Sequence, residues 1–192
     1  MKNLISLTVV LIVLVIWNSC EPADDSSADT QDIASAEVDM VKRGEYLVIA
    51  MGCDDCHSPK IYTDAGPEPD MSKRFMGHPA DMVLPEFSTE GLPPGWVTTN
   101  EHFTAWVGPW GVSFSGNITS DESGIGNWTE ENFFRAIREG KFKGLENGRP
   151  LLPPMPWPQY RYLNDEDIRA IFAYLRTTTP IRNVVPPPIP PG

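Results

Sequence analysis

Gly52-Cys53-Asp54-Asp55-Cys56-His57 is the stretch on which the reading of this chain turns. Two cysteines separated by two residues and followed at once by histidine form C-x-x-C-H, the signature of covalent haem attachment. Two thiols at this spacing can add to the two haem vinyl groups, and the adjacent imidazole of His57 is then directed at the iron. Other chemistries also use paired cysteines. A thioredoxin-like dithiol would follow a strand in a βαβ unit, which the sequence lacks. A zinc site would need a second Cys/His pair, and the remaining histidines, His78 and His102, are isolated. One covalent haem, held by Cys53, Cys56 and His57, is therefore the expected cofactor.

Upstream of the motif, Met40, Gly44, Leu47, Val48 and Met51 share one helical face, and Gly52 ends the segment. Gly44 inside a helix costs ~1 kcal/mol relative to alanine, which suggests that another helix approaches closely there. Downstream, a second helix is expected over 130–140. Thr129 is its N-cap, Phe133, Ala136 and Ile137 its buried face, and Gly140 its stop. A third is expected over 165–177. Asn164 caps it, Asp165, Glu166 and Asp167 complement its dipole, and Ile168, Ile171, Phe172 and Leu175 form its apolar stripe. Residues 59–127 have little periodicity and recurrent Gly, Pro and Trp. They read as ordered loop with short strands at most, and a stretch of that length needs an organiser such as a haem surface.

A sixth iron ligand is expected at Met155, in Leu151-Leu152-Pro153-Pro154-Met155-Pro156-Trp157. Prolines on both sides fix φ and stiffen the loop. A His/Met pair raises the reduction potential, as electron carriers require. Met71, Met76, Met82, His78 and His102 are the rivals, and core packing is the alternative role for a methionine. Asn117 and Thr119 could bond haem propionates or turn the backbone. Lys42, Arg43, Arg135, Arg138, Lys141, Lys143 and Arg149 could meet propionates or a partner, or simply be solvated.

The N-terminus carries targeting information. Lys2 precedes an apolar run from Leu4 to Trp17, which is too short for a ~20-residue membrane span and fits a secretory h-region. Ser19-Cys20 follows and resembles a bacterial lipoprotein cleavage site. Residues 1–19 then form a signal peptide, Cys20 is lipidated, and Asp/Ser/Ala-rich residues 20–37 form a flexible linker. The competing reading is an uncleaved anchor. Both export the domain to the cell envelope, periplasmic or on the outer surface, tethered to a membrane. The formal charge of −11 excludes nucleic acid binding by charge. It suits docking to basic patches on a protein partner.

Together these residues resemble the class I c-type cytochromes. The pattern is a first helix with Gly44 and Tyr46, then the haem motif, a long loop, a methionine loop and a last helix with Tyr174-Leu175. The resemblance implies a mainly α cytochrome c fold over 38–180. Its N-terminal and C-terminal helices would pack around haem and cross at Gly44 and Tyr174. A long ordered loop insertion and a Pro-rich tail at 181–192 complete the expected organisation. A closer likeness is to the cytochrome c subunits of membrane-bound alcohol and sugar dehydrogenases. It rests on Arg43-Gly44-Glu45-Tyr46-Leu47-Val48, the haem motif, Asn117-Ile118-Thr119, Gly124-Ile125-Gly126-Asn127-Trp128-Thr129-Glu130-Glu131 and Pro154-Met155-Pro156-Trp157. Those subunits commonly carry three haem motifs, and this chain has one, so it is similar to a single module. The resemblance implies an electron carrier rather than an enzyme. Its partners would be a dehydrogenase or respiratory complex on one side and an oxidase or another cytochrome on the other. The alternative is an open-site haem enzyme or sensor of peroxidase-like type.

Overall fold

The computed structural model describes residues 26–85, 93 and 95–191. The signal peptide at 1–19 and the lipidation site at Cys20 lie outside the described residues. Helix α1 runs Ser26–Ala50, α2 Cys53–His57, α3 Glu130–Glu139, α4 Trp157–Tyr160 and α5 Asp165–Thr177. Among the described residues, five short strands occupy the segment between α2 and α3: β1 Lys60–Thr63, β2 Gly66–Pro69, β3 Thr98–Thr99, β4 Ala105–Gly108 and β5 Gly111–Phe114. No helix among the described residues is long and apolar enough to cross a membrane.

The caps read from the sequence are those that form. Thr129 accepts from Asn132 N, and Asn132 answers with its own side chain, closing a capping box on α3. Gly140 then stops the helix in the left-handed region at φ 64°. Asn164 accepts from Asp167 N at the start of α5. The expected start of α1 near Val38 is corrected by the structure. Residues 26–37, expected as flexible linker, continue the helix back to Ser26. The physical reason is local: Ser26 to Arg43 contains neither glycine nor proline, and alanine recurs at 28, 34 and 36.

The helices α1 and α5 cross and build the core. Leu47 and Val48 of α1 meet Ile168, Ala170, Ile171, Tyr174 and Leu175 of α5, with Phe75, Ile125 and Phe133 completing the cluster. The crossing point is Gly44. A Cβ there would stand 1.9 Å from Ala170 O and 2.8 Å from the Tyr174 Cβ. Only a residue without a side chain permits this approach, so the Gly44–Tyr174 pairing expected from the resemblance is present. Arg43 adds an ion pair to Asp167 at 2.9 Å across the same crossing.

The segment between α2 and α3 makes one hairpin, β1–β2, and one three-stranded antiparallel sheet in the order β3-β4-β5. The Pro-rich stretch 181–191, expected as a tail outside the domain, is packed onto this sheet. Val112 N donates to Ile189 O at 2.8 Å and Ile189 N to Val112 O at 3.0 Å. Gly111 makes this possible, because a Cβ there would lie 2.1 Å from Ile189 O. Asn183, 5% exposed, accepts from Ala80 N and donates to Met76 O and His78 O. Asn117 donates to Ile181 O at 2.8 Å, and Thr119 accepts from Ile181 N at 3.3 Å. Asn117 also turns its own backbone, its side-chain oxygen accepting from Thr119 N at 2.9 Å.

Candidate haem site

The haem motif forms its own short helix. Gly52 reverses the chain in the left-handed region at φ 69°, and α2 then presents Cys53, Cys56 and His57 within a single stretch of helical backbone. Both cysteines are free thiols and partly exposed. Burial, followed by the charge of Asp54, pushes the Cys53 thiol up to about 12. Burial and Asp55 raise that of Cys56 as well. Among the described residues no cluster of three His, Cys, Asp or Glu side chains is placed to hold a bare metal ion.

His57 is oriented by the backbone. Its Nδ1 lies 2.7 Å from Gly116 O, so the proton belongs on Nδ1 and Nε2 is left as the nitrogen available to a metal. Burial lowers the His57 pKa, and the bond to Gly116 opposes that effect. A neutral imidazole with a fixed tautomer is what an axial ligand needs. Two free thiols and this imidazole together fit the donor set for a covalently attached haem.

The flanks of the motif are locked by a polar network. Arg74 forks onto Asp54, Nε to Oδ1 at 2.9 Å and Nη2 to Oδ2 at 2.7 Å, and its Nη1 donates to Tyr174 Oη at 3.0 Å. Ser58 Oγ donates to Asp54 Oδ1 at 2.8 Å and accepts from Phe75 N at 2.9 Å. Lys60 reaches back with Nζ to Asp54 O at 2.8 Å and Ser58 O at 2.5 Å. The helix that carries the thiols is thereby tied to α5 and to the loop after the first hairpin.

Met155 lies partly buried between α3 and α4. Its loop is fastened at both ends. Leu151 N donates to Gly140 O at 2.6 Å, and Ser113 Oγ donates to Pro153 O at 2.5 Å. Trp157, two residues later, lies against Gly140, where a Cβ would meet its indole at 2.3 Å. Tyr160 Oη donates to Met51 O at 2.8 Å, which joins α4 to the turn before Cys53. Burial, with the cysteine pair beside it, pushes the Tyr160 hydroxyl up to about 12.

Three of the rival ligands, His78, His102 and Met82, make contacts of their own. His78 Nδ1 pairs with Thr104 Oγ1 at 3.0 Å, its ring packed on Phe114. His102 Nδ1 lies 3.1 Å from Lys60 N and 3.0 Å from Lys60 O. Met82 Sδ accepts from Asn100 at 3.6 Å, and Met71 is 66% exposed. Several basic residues weighed as propionate or partner contacts have structural roles. Arg135 bonds Gly144 O, Arg138 pairs with Asp165, and Arg149 lies over the Phe142 ring. The residues that sequence reasoning missed are Gly116, Tyr160, Lys60 and Arg74. Gly116 is 59 positions from His57 and Tyr160 is 109 from Met51, so no local spacing announces them.

No family model matches the chain. It is 33% identical over 168 residues to the gluconate 2-dehydrogenase cytochrome c subunit of Pantoea cypripedii, covering 87% of this chain and 27% of that protein. It is 30% identical over 145 residues to the fructose dehydrogenase cytochrome subunit of Gluconobacter japonicus, covering 75% of this chain and 22% of that protein. Over 67 residues it is 46% identical to the cytochrome c subunit of the alcohol dehydrogenase (quinone) of Gluconobacter oxydans, covering 34% and 13% respectively. The chain thus spans about a quarter or less of the length of these curated relatives.

Proposed function

From a chain homologous to the cytochrome c subunits of dehydrogenases and similar to one module of them, we propose an electron-transfer protein with a single covalent haem c. Cys53 and Cys56 are the thioether attachment points, and His57 and Met155 are the axial iron ligands. The domain is of the class I cytochrome type, with α1 and α5 as its crossing helices. The observation that carries the reading is His57 Nδ1 held 2.7 Å from Gly116 O inside C-x-x-C-H, with both thiols free. When bound, the haem supplies a one-electron couple between Fe(II) and Fe(III).

The chain's own residues orient and enclose that couple. Gly116 O fixes the His57 tautomer, so Nε2 is the nitrogen left for the iron. The fastened loop at 151–157 limits the positions open to the Met155 thioether, and Tyr160 ties that loop to the attachment helix. No proton transfer by a side chain is required. Electrons would pass from a dehydrogenase or respiratory complex to an oxidase or another cytochrome.

The decisive experiment is acid–acetone extraction of the full chain matured with its haem. Colour should remain with the protein, and Cys53→Ala with Cys56→Ala should abolish attachment. Haem that extracts freely from the unmutated protein would sink the proposal. The proposed location is the cell envelope, with the chain tethered through a lipid on Cys20. That part is supported by the apolar run ending at Ser19-Cys20. Cys20→Ser should remove incorporation of a labelled fatty acid, and equal labelling of mutant and parent would exclude lipidation there.

A further inference from the structure

Lys60 is an unusual lysine. It is 5% exposed, yet among the described residues no carboxylate side chain forms an ion pair with it. Its Nζ is instead held by two backbone carbonyls, Asp54 O at 2.8 Å and Ser58 O at 2.5 Å. Those two residues bracket Cys56 and His57 in the chain. Carbonyl oxygens only accept, and their negative dipole ends favour the ammonium form over the neutral amine. The two carboxylates of α2 are paired or solvated. Asp54 is answered by Arg74 at 2.7 Å, and Asp55 is exposed to water. Burial lowers the Lys60 pKa, and Asp55 opposes that effect.

We infer that Lys60 sets the reduction potential: its buried ammonium, clamped on the carbonyls flanking His57, favours the reduced state of the haem. This rests on the reading in the preceding subsection. Reduction adds one electron to the bound haem and so removes one unit of positive charge at the iron. A fixed positive charge in a poorly solvated region favours the less positive state, because Coulomb interactions there are much stronger than in bulk water. Lys60 touches neither haem nor iron in this account. It acts through the field at His57 and is a positioning and tuning residue.

The test is a potentiometric titration of the full, haem-loaded chain with Lys60→Met, Lys60→Arg and Asp54→Asn. Lys60→Met should lower the equilibrium constant for reduction about tenfold, which is about 59 mV for one electron. Lys60→Arg should restore most of the parental value. Asp54→Asn leaves Arg74 without its counter-charge and should shift the potential upward. The upward shift separates charge from damage, since a loosened site admits water and lowers the potential. The inference is overturned if Lys60→Met keeps its haem and its potential stays within twofold in that equilibrium constant. It is equally overturned if Asp54→Asn also shifts downward, which would report loosening. An unmutated protein that holds no covalent haem would overturn the underlying reading as well, and the extraction experiment detects that separately.

Discussion

Met155 is bracketed by Pro154 and Pro156, and the residues just before it are pinned, Leu151 by Gly140 O and Pro153 by Ser113. A thioether held in this way would need little ordering to serve as the proposed iron ligand. Removing it therefore tests the ligand assignment with little disturbance to the fold. In the haem-loaded protein, Met155→Ala should erase the weak red absorption band of a Met–Fe(III) bond. It should lower the reduction potential, because the thioether favours Fe(II) over water or hydroxide. It should also open the iron to carbon monoxide. An unchanged band and potential would move the ligand elsewhere, with Met76, Met82, His78 and His102 the next substitutions. Rapid binding of carbon monoxide by the unmutated protein would support the open-site enzyme or sensor instead.

At the scale of elements, the decisive contact is the crossing of α1 and α5. Ala170 O lies 1.9 Å from where a Cβ on Gly44 would stand, and a backbone atom cannot rotate away as a side chain can. Gly44→Ala should raise the intrinsic helix propensity of α1 by ~1 kcal/mol. It should still destabilise the protein by about 3 kcal/mol through forced separation of the helices. Calorimetry should record a Tm lower by roughly 6–12 °C. A Tm equal to or above the parental value would show that the helices do not meet at this glycine. Both crossing helices were legible in the sequence, because apolar period and capping residues are local signals. The early start of α1 at Ser26 is not legible there, because acidic, polar composition reads as linker although nothing in it breaks a helix.

For the whole molecule, the region between α2 and α3 is stabilised by long-range bonds converging on a few buried polar side chains. Asn183 ties the last segment to Met76, His78 and Ala80, while His78 itself is buried against Phe114 and Thr104. Burial, aided by the charge of His102, lowers the His78 pKa below the ordinary histidine value. The unfolded chain therefore binds a proton at His78 more readily than the folded one. Stability from this group is present above the unfolded value, about 6.5, and is lost as pH falls through it toward the lowered folded value. The Tm of the haem-loaded protein should fall between pH 7 and pH 5, with a contribution from His78 of up to about 1.4 kcal/mol per pH unit. His78→Gln, which keeps a partner for Thr104, should flatten that slope. An identical slope in the variant would assign the acid sensitivity to other groups.

The sequence by itself determined the helical frame and carries the motif from which haem attachment is proposed. C-x-x-C-H names its own cofactor through the spacing of two thiols and an imidazole, and each helix carries its apolar stripe, cap and stop within a few residues. Tertiary structure alone decided what surrounds that chemistry. The carbonyl that orients His57 comes from Gly116, the guanidinium that holds Asp54 from Arg74, and the hydroxyl that binds Met51 from Tyr160. The stretch 181–191, proline-rich and legible only as a tail, became a strap on β5 through two bonds between Ile189 and Val112. Backbone carbonyls and amides are present at every position, so composition and periodicity carry no information about which of them will meet a given side chain. That choice is made only when distant segments pack together.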